Sequence, residues 1–105
     1  MSKIKVKHVA SKDAWQKPKD GSNTWISYWE KHSGYKLQDF CRDCGCKVST
    51  DNPLVGAHVK KVGSNDDSIY IVPTCKNCNT AGGFDYHEFE CEEKILVPAN
   101  KGRLH

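Results

Sequence analysis

Two pairs of cysteines, each separated by two residues, constrain this chain more than any other feature. Cys41 and Cys44 form the first pair and Cys75 and Cys78 the second, with 30 residues between the pairs. Each CxxC loop presents two thiolates to one ion, and four thiolates are the closed tetrahedral set that structural zinc prefers. Gly45 follows the first pair, where a positive φ leaves backbone N–H groups facing the sulfurs. We predict one structural zinc ion held by these four cysteines.

The two remaining cysteines, Cys46 and Cys91, lack this spacing. Cys46 lies close enough to Cys44 to compete as a ligand; otherwise both are expected to be small buried groups or plain thiols. The basic N-terminus, residues 1–7, has no apolar core behind it, and no run approaches about 18 apolar residues. We expect no membrane partner and a reducing, cytoplasmic compartment, in which closely spaced cysteines bind metal more often than they form disulfides.

The chain of 105 residues is long enough for one domain. Residues 1–22 read as a basic arm or an edge segment, residues 23–100 as a single zinc-binding domain, and residues 101–105 as a frayed end. One short helix is predicted, capped by residues 22–24 and ended by Gly34. An aromatic stripe at helical spacing lies between these ends and is expected to pack in the core: Trp25, Tyr28 and Trp29, with His32 following on the same face.

Two strands are predicted between the cysteine pairs, around residues 55–59 and 69–72, joined by a polar loop. A short helix stopped by Gly82 and Gly83 is expected after the second pair, and a last strand at either 84–89 or 94–97. Positive charge is concentrated at the start of the chain, where residues 1–40 carry eight lysines and four acidic residues. Such an arm would favour a phosphate backbone, although a solvated tail kept soluble by lysines has the same composition.

The order of these motifs resembles the HNH, or ββα-metal, nuclease superfamily, and within it the endonuclease VII type of junction-resolving enzyme. The resemblance covers about residues 41–80: a CxxC loop, a strand bearing Gly56-Ala57-His58-Val59, a polar loop, a second strand, and Cys75-x-x-Cys78-Asn79 at the start of a helix. It implies a small α+β fold, a treble-clef-like ββα-metal zinc domain with an added N-terminal helix.

In that superfamily a histidine is the general base on the attacking water, and one divalent ion stabilises the scissile phosphate. The resemblance gives the general-base position to His58 and the helix-borne metal-ligand position to Asn79, with Mg²⁺ or Mn²⁺ as the catalytic ion. Lysines near the hairpin and the second cysteine pair would contact a nucleic-acid backbone: Lys60, Lys61 and Lys76. The other histidines, His8, His32 and His105, are expected at the surface, and His87 lies too far along to be an obvious third ligand.

The sequence departs from the family pattern immediately before the histidine. Ala57 stands where an aspartate or histidine usually holds the catalytic ion, and a methyl group cannot coordinate Mg²⁺. Three interpretations therefore stay open. One is a metal-dependent endonuclease acting on nucleic acid, with DNA favoured. Another is a non-catalytic zinc module that binds nucleic acid or a protein partner. The third is a purely structural subunit in which zinc serves stability alone. The resemblance also suggests a homodimer, because junction-resolving enzymes of this type dimerise.

Overall fold

The computed structural model describes residues 3–9, 18, 21–66, 68–78 and 88–99. These residues form an α+β domain, as predicted, with one antiparallel sheet in the order β4-β1-β2-β3-β5. A helix, α1 (Trp25–Ser33), packs on the sheet, and a 3-10 turn (Glu93–Ile95) precedes the last strand. In the described part of the chain, no helix has the length and apolar character needed to cross a membrane. The strands are β1 (Lys3–His8), β2 (Leu54–Lys61), β3 (Tyr70–Cys75), β4 (Glu88–Glu92) and β5 (Val97–Pro98).

The N-terminal strand corrects our expectation of an arm or edge segment. β1 lies inside the sheet, paired with β2 on one side and β4 on the other. Its three lysines lie directly opposite glutamates of β4, in the pairs Lys3–Glu92, Lys5–Glu90 and Lys7–Glu88. Opposite charges at facing positions stabilise a strand pair. The basic start of the chain is therefore offset, over residues 3–8, by the acidic strand beside it.

The strands between the cysteine pairs confirm the prediction, whereas the last strand does not lie where we expected it. β2 and β3 form a hairpin over most of the predicted segments. β2 extends beyond 55–59 at both ends, and β3 begins one residue later than predicted and continues to Cys75. Two strands follow instead of one: β4 includes residues 88 and 89 of the first predicted range and continues to Glu92, whereas residues 84–87 lie outside the described part of the chain. Of the second range, 94–97, only residue 97 is in a strand, β5. The predicted helix stop at Gly82 and Gly83 and the frayed end at 101–105 lie outside the described residues.

Helix α1 begins and ends where its sequence predicts. The Thr24 hydroxyl accepts a hydrogen bond from the Ser27 backbone N–H at 3.1 Å, which caps the first turn. Gly34 ends the helix at φ 76°, a left-handed conformation that glycine adopts at little cost. The buried face of the helix contacts the 3-10 turn and β5: Trp29 Nε1 donates to the Ile95 carbonyl at 2.8 Å, and Tyr28 Oη donates to the Pro98 carbonyl.

Gly56 allows α1 to lie directly on the hairpin. A Cβ atom at this position would lie 2.5 Å from the carbonyl carbon of Trp25 and 2.7 Å from the backbone nitrogen of Ile26. Alternate residues of a strand point to the same face, so His58 shares the helix-covered face with Gly56. Its imidazole packs edge-on against the Trp25 ring, with centroids 4.7 Å apart.

The opposite face of the sheet forms the second part of the core. Residues that face each other across an antiparallel pair point to the same side of the sheet. The register therefore places one set of side chains from β1, β2, β3 and β4 together on this face. The face also includes His8, opposite Val59, and Cys91, opposite Ile4. Its fully or largely buried apolar residues are Val6, Ala57, Val59, Val72 and Phe89.

A small polar cluster lies at the loop end of the hairpin. Tyr70 Oη donates to an Asp66 carboxylate oxygen, and Lys61 Nζ lies 3.4 Å from the same carboxylate. The other carboxylate oxygen of Asp66 accepts the Ser68 backbone N–H at 2.9 Å. The hydrogen bond from Tyr70, together with those from Ser68, holds the pKa of Asp66 well below its ordinary value. Lys61 also approaches Glu93 at 3.6 Å, which ties the hairpin to the 3-10 turn.

This cluster predicts a pH dependence of stability. Because the folded-state pKa of Asp66 lies below the unfolded value of about 4, its ionised form stabilises the fold above that pH. The contribution is lost as the pH falls through the folded-state pKa. In chemical denaturation, the free-energy difference between wild type and Asp66→Asn should be constant from about pH 5 to 8 and shrink below about pH 4.

Other titrating groups are common to both proteins, so the difference isolates Asp66. Tyr70→Phe removes the hydrogen bond that lowers this pKa most, and it should move the loss of stability to higher pH. Parallel pH profiles for wild type and Asp66→Asn would show that this carboxylate does not contribute in the way proposed.

Candidate metal centre

The four cysteines of the two CxxC pairs converge on one point. The Sγ atoms of Cys41, Cys44, Cys75 and Cys78 all lie within 4.8 Å of one another, and those of Cys44 and Cys75 are 4.0 Å apart. A tetrahedral ion with metal–sulfur bonds of about 2.3 Å requires sulfurs about 3.8 Å apart. The residues therefore fit a metal ion, and a set of four thiolates suits zinc in a closed structural site.

The first pair folds as a knuckle around the sulfur of Cys41. The backbone N–H groups of Asp43, Cys44 and Cys75 point at this sulfur, at 3.3, 3.4 and 3.1 Å. Gly45 adopts φ 78°, as predicted, and the Cys46 N–H then points at the sulfur of Cys44 at 3.4 Å. Backbone N–H groups aimed at sulfur favour the thiolate, which is the form that binds metal.

The second pair is held by residues that precede β2. The Asn77 N–H donates to Asn52 Oδ1 at 2.9 Å, and the Lys76 N–H donates to the Pro53 carbonyl at 2.9 Å. Sequence reasoning missed Asn52, because an Asn-Pro step signals a turn without indicating what its side chain binds. The start of the hairpin and the second knuckle thus form one unit.

The thiol pKa values differ across the cluster. Burial would raise the pKa of Cys75, but hydrogen bonds from the Cys78 backbone and the Asn52 side chain outweigh it, and the pKa falls to about 7. Burial raises the pKa of Cys41, and burial together with the neighbouring thiols of Cys75 and Cys44 raises that of Cys78. Closely spaced thiolates repel one another, so ionisation of all four requires a cation among them.

A buried contact joins this cluster to β1. His8 Nε2 lies 3.0 Å from Asp43 Oδ2, and their side chains are only 1% and 4% exposed. Asp43 lies between the two cysteines of the first knuckle, so the contact fixes the knuckle to the face of the sheet opposite α1. His8 is therefore not the surface residue we expected, and its ring also packs against Phe89, with centroids 5.1 Å apart.

The described residues at the positions that the resemblance implicates in catalysis are buried. His58 is 3% exposed and lies under α1, and Ala57 is fully buried on the opposite face. Asn79 lies outside the described residues, as do His87 and His105. His32, expected at the surface, is half-buried with its ring 4.4 Å from that of Tyr28.

The three lysines predicted to contact nucleic acid differ in their exposure and in their partners. Lys76 is exposed directly after Cys75, and Lys60 is half-buried on β2 with Lys7, not a glutamate, as its facing residue. Lys61 is only 19% exposed and is already paired with Asp66 and Glu93. Cys46 is exposed and is not among the four converging cysteines.

The sixth cysteine lies apart from the site. Cys91 is buried on β4, and burial raises the pKa of its thiol to about 11. It therefore behaves as the small buried group that the sequence suggested.

Comparison with known proteins assigns no function to this site. No protein-family model, no curated protein and no solved structure matches the chain. Function has to be inferred from the residues and distances of the site itself.

The cluster predicts one bound metal ion that the fold requires. Cys75→Ser should abolish stoichiometric metal and the cooperative thermal transition, because structural metal binding of about 10–16 kcal/mol rivals the stability of a whole domain. Cys46→Ser is the matched control, and it should retain one equivalent of metal by elemental analysis of the purified chain. Equal metal content in wild type and Cys75→Ser, or loss of metal in Cys46→Ser, would contradict this ligand set.

The buried contact between His8 and Asp43 predicts energetic coupling between β1 and the knuckle. A double-mutant cycle with His8→Phe and Asp43→Asn on the metal-loaded protein should give an interaction free energy of about 0.5–3 kcal/mol. Each single variant leaves one of the two native partners in place, whereas the double variant removes both the imidazole and the carboxylate. Additive effects on the free energy of unfolding would mean that the contact does not hold the strand to the knuckle.

Proposed function

We propose that this protein is a zinc-stabilised module that binds nucleic acid and has no catalytic step of its own. The burial of the His58 imidazole, 3% exposed beneath Trp25, is the observation that carries the proposal. The metal is zinc, in a closed site, and the two knuckles with their hairpin correspond to a treble-clef-like ββα-metal arrangement. DNA is the favoured target, in keeping with the resemblance to HNH nucleases.

Hydrolysis would require a base that contacts water and an ion with an open coordination position. Four cysteines fill the coordination sphere of a tetrahedral ion, which leaves it a structural role. His58 is covered by α1, and the residue before it, Ala57, offers a buried methyl group where a second ion would need an oxygen or nitrogen ligand. These features favour binding over catalysis.

Cations near the cysteine cluster support a nucleic-acid target. Lys47 and Lys76 are exposed next to the two knuckles, and Arg42 lies half-exposed within the first. Lys60 adds a charge on β2 that no facing glutamate offsets. Such groups contact phosphates without reading sequence. A protein partner, or a second copy of the chain, is the competing target.

The proposal predicts salt-dependent binding of zinc-loaded protein to labelled DNA. Affinity measured by fluorescence anisotropy should fall steeply between about 50 and 200 mM salt, because bound phosphates release counterions. Lys60→Ala and Lys76→Ala should each lower the slope of log affinity against log salt by about one. Lys61→Ala is the matched control, and its effect should be smaller because Asp66 and Glu93 already pair with this lysine.

A nicking assay separates binding from catalysis. Supercoiled plasmid incubated with Mg²⁺ or Mn²⁺ should stay intact with both wild type and His58→Ala. Metal-dependent nicking by wild type that is lost in His58→Ala would overturn the non-catalytic assignment in favour of the nuclease. Absence of DNA and RNA binding at low salt would overturn the nucleic-acid assignment and favour a protein partner.

A further inference from the structure

We propose that the segment between α1 and the first knuckle, residues 35–40, binds the unpaired bases of single-stranded nucleic acid. The inference rests on the proposed function and adds the surface that selects the form of the target. Every residue from 34 to 40 is exposed, and only residue 40 takes part in a β-bridge. We call residues 35–40 the aromatic segment.

The aromatic segment carries the exposed large apolar side chains of the described part of the chain. Tyr35, Leu37 and Phe40 are 41%, 37% and 36% exposed. Other large apolar side chains in the described ranges are buried or half-buried. Singly scattered apolar side chains are common at protein surfaces, whereas several that lie together mark a binding surface. These three lie within six residues of the chain.

Both aromatic rings of this segment are accompanied by a cation. Arg42 Cζ lies 4.8 Å from the centroid of the Phe40 ring, and Lys94 Nζ lies 5.7 Å from that of the Tyr35 ring. The two cations come from different parts of the fold, the first knuckle and the 3-10 turn. A flat ring beside a positive charge suits a ligand that has a flat base and an adjacent phosphate.

The charge balance around the segment is also suited to a polyanion. Lys36 and Lys47 add positive charge, the latter through the β-bridge that pairs it with Phe40. Among nearby acidic groups, Asp43 is buried against His8, and Glu92 lies 3.3 Å from Lys94 and partly offsets its charge. Glu93, which is exposed and precedes Lys94, lies 3.6 Å from Lys61. Asp39 is the exposed acidic residue within the segment itself. Cations therefore outnumber exposed anions beside the rings.

A single strand fits these features better than a duplex. Paired bases stack on each other and hide their faces, whereas unpaired bases stack on aromatic side chains. The aromatic segment is neither a helix nor a ribbon of two strands, which are the elements that fit a major groove. The β-bridge between Phe40 and Lys47 joins the segment to the first knuckle, so the orientation of the Phe40 ring depends on the fold of that knuckle.

The test compares labelled oligo-dT and oligo-U of about 20 nucleotides, longer than a typical single-strand site, with a duplex of the same length. On zinc-loaded protein, Phe40→Leu and Tyr35→Leu should each weaken single-strand binding by about 5- to 150-fold, the range measured for one stacked base. Both changes keep an apolar side chain and remove the ring. Duplex affinity should change less than about 2-fold, since backbone contacts remain.

Leu37→Ala is the matched control, because it removes a similarly exposed apolar side chain without a π system. Metal content and melting temperature should be unchanged in all three variants. Equal affinity for single strand and duplex, with no effect of the ring variants, would overturn this inference and leave the proposed function intact. If Leu37→Ala weakens binding as much as Phe40→Leu, apolar contact replaces stacking and the inference also fails. If no nucleic acid binds wild type, the proposed function fails as well.

Discussion

The sulfur of Cys41 is the point on which the rest of the structure depends. Three backbone N–H groups converge on it, two from its own knuckle and one from Cys75 at the end of β3. A backbone hydrogen bond also joins the first knuckle to β3: the Arg42 N–H donates to the Pro73 carbonyl at 3.3 Å. The two knuckles are thereby joined before any metal is considered. A cation among the four sulfurs would neutralise the repulsion between thiolates and turn this junction into the most stable part of the domain.

The sheet is covered differently on its two faces, and each covering depends on a particular residue. On one face, Gly56 lets the backbone of α1 approach, and Tyr28 and Trp29 then bind the carbonyls of the C-terminal segment. On the other face, His8 binds Asp43 of the first knuckle. Because His8 belongs to β1, this contact connects the cysteine cluster to the N-terminal strand. A small apolar core is thus supplemented by specific polar contacts and by four converging cysteines that could hold a metal ion.

The order of the sequence motifs is compatible with a nuclease and with a non-catalytic binding module, and the surroundings of His58 bear on which of the two applies. An imidazole between two CxxC pairs suggests a general base, but a base has to reach water and substrate. The helix that the N-terminal third supplies covers this imidazole with Trp25. Exposed or half-exposed cations lie next to the knuckles and beside the aromatic segment: Lys36, Arg42, Lys47, Lys76 and Lys94. These positions support the proposed binding role, whereas general-base catalysis by His58 would require the helix to move away.

The sequence by itself determined the features that depend on short-range spacing. Two CxxC pairs predict the ligand set, Thr24 and Gly34 predict the bounds of α1, and Gly45 predicts the knuckle turn. Only the tertiary structure decided features that depend on pairing between distant segments: β1 inside the sheet, His8 buried beside Asp43, Asn52 holding the second knuckle, and His58 beneath Trp25. The physical reason is that local conformation follows from a few neighbouring residues, whereas strand order and burial follow from contacts across the whole chain.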